Sequence, residues 1–352
     1  MTLSSMTHTM GKRTTKTTRM RGRDDRLERV ACLVCGGARS RLYARKFGLD
    51  LVKCRDCGLV YANPRLREAE LLERYESPLF FDEYLRSFRA GPNGFDPDFV
   101  RGHYRIFLDI VGRYFASGKK LLDVGCGAGF FVKAAEEAGW KAEGIEISRL
   151  ASRYVREVAQ VNVRTGRLED AGSAPDSFDV VTMLDLVEHL PDPVETIALV
   201  HRVLKPGGVL IVATPDLRSM SRMFLGRSWA ALSPAEHLAN YDARTLRAAL
   251  EGSGFRIVAM KNLLILNPEY SHSPGTWAAR TFKAVHARFE KMRFAGHLHG
   301  FEGLDLVHAG DPAAPHLAEL SRAKRLARRV YLRAKRVLRG DMLVAIAAKS
   351  CS

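Results

Sequence analysis

Long hydrophobic runs are missing from this chain of 352 residues. No apolar stretch approaches the ~20 residues that a helix needs to cross a bilayer. The N-terminus also lacks the apolar core of a secretory signal. Acidic residues are absent before Asp24, although Thr, Arg and Lys abound there. That stretch shows no amphipathic period, so residues 1–30 read as a disordered basic tail and not as a transit peptide. No internal repeat is visible, which argues against a solenoid. Acids are scarce throughout, with 39 Asp and Glu against 55 Lys and Arg, a net charge of +16. Such an excess favours anionic partners, whether nucleic acid, phosphorylated metabolites or an anionic membrane surface, without choosing among them. A hydrophobic share of 46% and a charged share of 27% are ordinary for a globular protein. A cytoplasmic location is expected, with a membrane-peripheral one as its variant.

Cysteine is sparse, but four of the six fall in two pairs. Cys32 and Cys35 are followed, after 18 intervening residues, by Cys54 and Cys57, and each pair is followed by a glycine. This spacing matches a four-thiolate zinc site with no open ligand position, so a structural metal is expected on Cys32, Cys35, Cys54 and Cys57. The competing reading, four unligated thiols, would leave residues 31–62 with little core of their own.

Residues 63–118 read as a helical linker or substrate cap, interrupted by Gly91-Pro92-Asn93-Gly94. From Lys119 strands alternate with helices. Strands are expected at 121–124, 142–147, 161–163, 178–184, 209–213, 255–261 and 342–347. Helices are expected at 130–138, 148–159 (with Ser148 as N-cap), 193–204 and 243–251. This order predicts an α/β fold with a parallel sheet covered on both faces, its core at 119–263 and its final strand in 341–352. Residues 264–340 then form an insertion before the last strand, with basic amphipathic helices at 276–293 and 317–338. The second of these is either a packed helix with solvated charges or a contact for an anionic membrane, a lipid-linked glycan or RNA.

The most informative segment is Leu121-Leu122-Asp123-Val124-Gly125-Cys126-Gly127-Ala128-Gly129-Phe130. A strand ends in a turn whose glycines admit close approach of a ligand, and a helix follows with free N–H groups. Glu146 closes the next strand, 17 residues after Gly129, where an acid can bind both hydroxyls of a ribose. The spacing G-x-G-x-G differs from the dinucleotide pattern. Asp123 suits the ammonium of an amino-acid-bearing nucleoside and would repel a pyrophosphate.

This stretch resembles the class I S-adenosylmethionine-dependent methyltransferases. The likeness continues through Gly166-Arg167-Leu168-Glu169-Asp170, Phe178-Asp179-Val180-Val181, Glu188-His189-Leu190-Pro191-Asp192-Pro193 and Leu204-Lys205-Pro206-Gly207-Gly208. The order is similar to that of quinone-biosynthesis O-methyltransferases and other bacterial small-molecule enzymes. The resemblance implies a Rossmann-like seven-stranded sheet and S-adenosylmethionine as cofactor. It places Asp123, Gly125, Gly127 and Gly129 at the methionine end, Glu146 on the ribose and Ile147 against the adenine. Leu168 and Glu169 would meet the adenine ring and its amino group, and Asp185 would close the pocket. Cys126 reads as a small buried side chain.

Methyl transfer from a sulfonium asks mainly for alignment, with a base for some acceptors. His189, after the fourth strand, and His237, in a segment resembling the family's lid, are the candidates. The alternatives are a loop-orienting role for His189 and lid packing for His237. The expected acceptor is an oxygen or carbon of a small molecule, lipid or glycan precursor. A sugar acceptor is disfavoured by the lack of the long C-terminal domain of sugar C-methyltransferases. RNA methylation ranks second: the charge suits it, but no Asn-Pro-Pro-Tyr-like motif is present. A non-enzymatic cofactor-binding regulator ranks third.

Overall fold

A computed structural model describes residues 23–115, 119–263 and 341–350. The tail before residue 23 and the basic helices expected at 276–293 and 317–338 lie outside the described residues.

Among the described residues, a short turn at Arg23–Arg26 leads into β1 (Leu27–Glu28), β2 (Ser40–Lys46), β3 (Leu49–Cys54), β4 (Val60–Ala62) and β5 (Arg65–Leu66). Three helices follow: α1 (Glu68–Tyr75), α2 (Pro78–Ser87) and α3 (Pro97–Gly112). Their starts are written locally. Ser77 caps α2, Asp96 caps α3, and each has proline at the first helical position, where its missing N–H costs nothing. Gly91 and Gly94 close the expected loop through a 2.8 Å bond from the amide of one to the carbonyl of the other.

The core then runs β6 (Lys120–Val124), α4 (Phe130–Glu137), β7 (Lys141–Glu146), α5 (Arg149–Tyr154), β8 (Val163–Thr165), β9 (Phe178–Leu184), α6 (Pro193–Val203) and β10 (Leu204–Pro215). After it come α7 (Met220–Leu225), β11 (Ala239–Asn240), α8 (Ala243–Gly252), β12 (Phe255–Leu263) and β13 (Met342–Lys349). The expected helix at 148–159 divides into α5 and a wider π turn, Val155–Ala159. Seven strands form one sheet in the order β12-β13-β10-β9-β6-β7-β8.

One strand departs from the expected parallel sheet. β13 runs antiparallel to both β10 and β12. Its register explains the reversal. Leu263, where β12 ends, pairs with Met342, where β13 begins, so the chain leaves and re-enters the sheet at one end. Apolar runs show burial, but they carry no sign of strand direction.

Successive strand residues face opposite layers, as the period of two requires. Val209, Ile211, Ala213, Val344 and Ile346 join α3, α4 and α5 on one face. Leu210, Val212, Leu343, Ala345 and Ala347 join α6 and α8 on the other. Both faces are covered, which is why these strands read as unbroken hydrophobic runs.

The unit at 31–62 is less self-contained than its sequence suggests. Its antiparallel strands β2, β3 and β4 acquire a fourth, β11, from the segment between β10 and α8, giving the order β11-β4-β3-β2. Ala44, Leu51, Val60 and Ala62 of this sheet share an apolar cluster with Leu225, Trp229, Ala231 and Leu232. Cys32, Cys54, Leu59 and Tyr61 pack into the second core layer.

Candidate functional site

The glycine loop is built by its backbone. After β6 the amides of Gly125 and Cys126 both donate to the carbonyl of Ile145 on the neighbouring strand, at 2.8 and 3.0 Å. Gly125 and Gly127 have φ of 71° and 54°. A Cβ on Gly125 would lie 2.6 Å from Leu186 Cδ1, and one on Gly127 2.5 Å from the Tyr84 hydroxyl. Only glycine suits both the left-handed conformation and the crowding. Glu146 locks the loop from below. Its Oε2 accepts from the Gly127 amide at 2.9 Å and its Oε1 from the Ser148 amide at 2.8 Å. Ser148 in turn caps α5 through its hydroxyl, as the sequence suggested.

A cavity of about 1130 Å³ opens over this loop. That is room for a nucleoside and a second molecule of moderate size. It is lined by nine of the eleven residues expected to bind cofactor or act in catalysis: Gly125, Gly127, Glu146, Ile147, Leu168, Glu169, Asp185, His189 and His237. Asp123 and Gly129 are not among its walls. Asp123 is buried behind the loop, its Oδ1 accepting from the Thr182 hydroxyl at 2.6 Å. Gly129 sits at the left-handed N-cap of α4, facing Val155 and Val161. Cys126 is buried, with its sulfur directed at the bare Gly144 backbone.

Electrostatics divide the cavity. Burial lifts the Asp123 carboxyl from 3.8 to about 7, against the hydrogen bond from Thr182. Burial also raises Glu146, although the backbone amides of Ser148 and Gly127 oppose the shift. Asp185 takes a left-handed φ of 50° at the end of β9, an outlier of the kind that marks functional sites.

At the far end His189 and His237 meet edge to face, ring centres 4.6 Å apart. His237 Nδ1 lies 2.8 Å from the Ala231 carbonyl, so that nitrogen carries the proton and Nε2 keeps its lone pair. Burial, and secondarily His237, pushes His189 well below the ordinary histidine value, which keeps it neutral. The Tyr75 hydroxyl approaches His189 Nδ1 at 3.4 Å. Glu188 is buried beside the pair and accepts from the Thr214 hydroxyl at 2.8 Å. Burial and then Asp185 raise its carboxyl.

Sequence reasoning assigned no role to Tyr75, Tyr84, Glu188 or the ion pair Arg74–Glu236, which ties α1 to the segment carrying His237. Glu188 stood inside a quoted motif and was within reach. The tyrosines stand in no motif that the sequence offers.

The second cluster is the cysteine set. Cys32 Sγ lies 3.4 Å from Cys57 Sγ, and Cys35 Sγ 3.6 Å from Cys54 Sγ. All four sulfurs fall within 4.8 Å of one another. Gly36 and Gly58, directly after the second cysteine of each pair, adopt φ of 68° and 86°.

Among the described residues no helix is long and apolar enough to cross a membrane. A family model described as a methyltransferase domain matches residues 99–260. The ubiquinone biosynthesis O-methyltransferase of Methylococcus capsulatus is 39% identical over 130 residues, 35% of this chain and 52% of that protein. The protein of the same name from Idiomarina loihiensis is 34% identical over 164 residues, 43% of this chain and 67% of that protein. The chain spans about half the length of the first of these relatives. A solved SAM-dependent methyltransferase from Archaeoglobus fulgidus aligns with a TM-score of 0.47 at 19% identity, over 77% of this chain and 100% of that one. With the glycine loop, the acid that locks it and the match to two thirds of the Idiomarina protein, the chain belongs to the class I S-adenosylmethionine-dependent methyltransferases.

Proposed function

We propose that this protein transfers a methyl group from S-adenosylmethionine to an oxygen of a small molecule. The observation that carries the reading is one cavity running from the Gly125–Gly127 loop and Glu146 to the His189–His237 pair. The donor, when bound, supplies an electrophilic methyl group on a sulfonium. Gly125 and Gly127 let it approach the backbone, and Glu146, Ile147, Leu168 and Glu169 line the nucleoside end. Asp185 closes the pocket between the two ends.

The acceptor lies against the histidines. Tyr75, Phe80, Phe81 and Tyr84 line the same cavity and favour a flat, apolar molecule. The name carried by the relatives suggests a hydroxylated aromatic ring of the kind used in quinone biosynthesis. Either neutral histidine can take the hydroxyl proton as the oxygen–carbon bond forms and the carbon–sulfur bond breaks. The test is His189→Ala and His237→Ala, assayed for labelled methyl transfer into 3,4-dihydroxybenzoate, with S-adenosylhomocysteine binding followed by calorimetry. Loss of a base should lower turnover on the order of 100-fold in at least one variant, with binding retained. Turnover near wild type in both would remove the base.

The same proposal assigns a structural zinc ion to Cys32, Cys35, Cys54 and Cys57. A tetrahedron with zinc–sulfur bonds of about 2.3 Å has sulfur–sulfur edges of about 3.8 Å. The 3.4 and 3.6 Å separations fit that cage. All four ligand positions are filled by sulfur, so the metal holds structure and takes no part in chemistry.

A further inference from the structure

We propose that the cysteine ribbon positions the acceptor end of the cavity, the metal fixing the strand on which the His237 segment is laid. The proposal rests on the zinc reading above, and its test is read without methyl transfer.

The connection can be followed bond by bond. The turn bearing Cys57 is closed by the Cys54 amide donating to the Leu59 carbonyl at 2.8 Å, and it leads straight into β4. β11 pairs on β4, Ala239 opposite Tyr61 and Asn240 opposite Val60, and the Ala62 amide donates to the Leu238 carbonyl at 2.9 Å. The Ala239 amide donates to the Glu188 carbonyl at 3.0 Å. One short strand therefore joins the ribbon to the residue before His189. His237 lies two residues upstream of it, and its ring is held by Ala231.

The rest of the lid is also seated on the ribbon. Trp229, Ala231 and Leu232 pack on Leu51, Val60 and Ala62. Lys46 Nζ donates to the Trp229 carbonyl at 2.7 Å, and Arg244 Nη2 to the Cys57 carbonyl at 2.6 Å. A unit of this size has too little core to order itself without a staple. The donor end is built differently. Gly125 and Cys126 hang on Ile145 of the large sheet, with no ribbon residue involved. Losing the metal should thus loosen one end of the cavity and spare the other.

The experiment is hydrogen exchange, read by mass spectrometry, on the full zinc-loaded chain before and after chelation, with S-adenosylhomocysteine binding measured on the same samples. Protection at 59–62 and 228–240 should fall by on the order of tenfold or more, while 121–127, 143–146 and the ligand's Kd stay within about threefold. A Lys46→Met chain should keep its metal and still lose protection at 228–240, with Lys46→Arg restoring it. Unchanged protection at 228–240 in the chelated chain overturns the proposal, and so does unchanged protection there in Lys46→Met. So does equal loss at both ends of the cavity.

Discussion

Gly127 carries two duties at once. Its left-handed backbone shapes the loop, and its amide meets the Glu146 carboxylate. Gly127→Ala places a methyl group 2.5 Å from the Tyr84 hydroxyl in a conformation that L-residues resist. We expect a stability loss of roughly 1–2 kcal/mol in denaturant titration, together with weaker cofactor binding. Stability and affinity equal to wild type would show that the loop tolerates a side chain. Asp123 makes a pH-dependent prediction. With its carboxyl lifted from 3.8 to about 7, the folded chain keeps a proton that the unfolded chain has shed between those values. The group's contribution to stability is full below the unfolded value, falls as pH rises, and is lost above about 7. Asp123→Asn removes that slope. In cofactor-free melts the variant should gain on wild type as pH rises from about 4 to about 7, and no further above it. A difference that does not vary with pH contradicts the assignment. That Gly125, Gly127 and Glu146 meet at the cavity was legible because their placement is local, set by a strand end and a turn. Tyr75 and Glu236 were not. Their place in the site depends on Arg74 of α1 meeting a segment 162 positions away, and no sequence period records that contact.

The elements divide in the same way. The strand expected at 178–184 is β9 itself, since a run buried on both faces leaves little choice of boundary. The edge strand β8 is displaced by two residues from the expected 161–163, because its polar residues give no alternation to read. β11, two residues long, had no signal at all. It exists because β4 offers it an edge. The start of α8 was not predicted in detail, yet it carries a full capping box. Asp242 accepts from the Thr245 amide at 2.9 Å, and the Thr245 hydroxyl accepts from the Asp242 amide at 2.9 Å. Asp242→Ala should cost about 1 kcal/mol in thermal or denaturant unfolding. Because no residue of α8 lines the cavity, cofactor affinity should hold. A change in affinity without a change in stability would mean that the helix start acts on the site directly.

Over the whole molecule, two features that look separate in the sequence meet in one structure. The glycine motif marks one end of the cavity and the cysteine pairs mark a ribbon, but that the ribbon lies beside the His237 segment follows only from the pairing of β11 on β4 and the packing around Trp229. Native mass spectrometry should find about one zinc ion per chain, and a folded chain without metal would remove the ribbon's staple. The central claim is that the cavity over Gly125–Gly127 binds S-adenosylmethionine, and calorimetric titration of the full chain with that ligand tests it most directly. The account predicts about one site per chain, weakened on the order of tenfold or more in Glu146→Gln, where a buried charged acceptor is lost. Absence of binding to a folded wild-type chain, or equal binding in the variant, would contradict it.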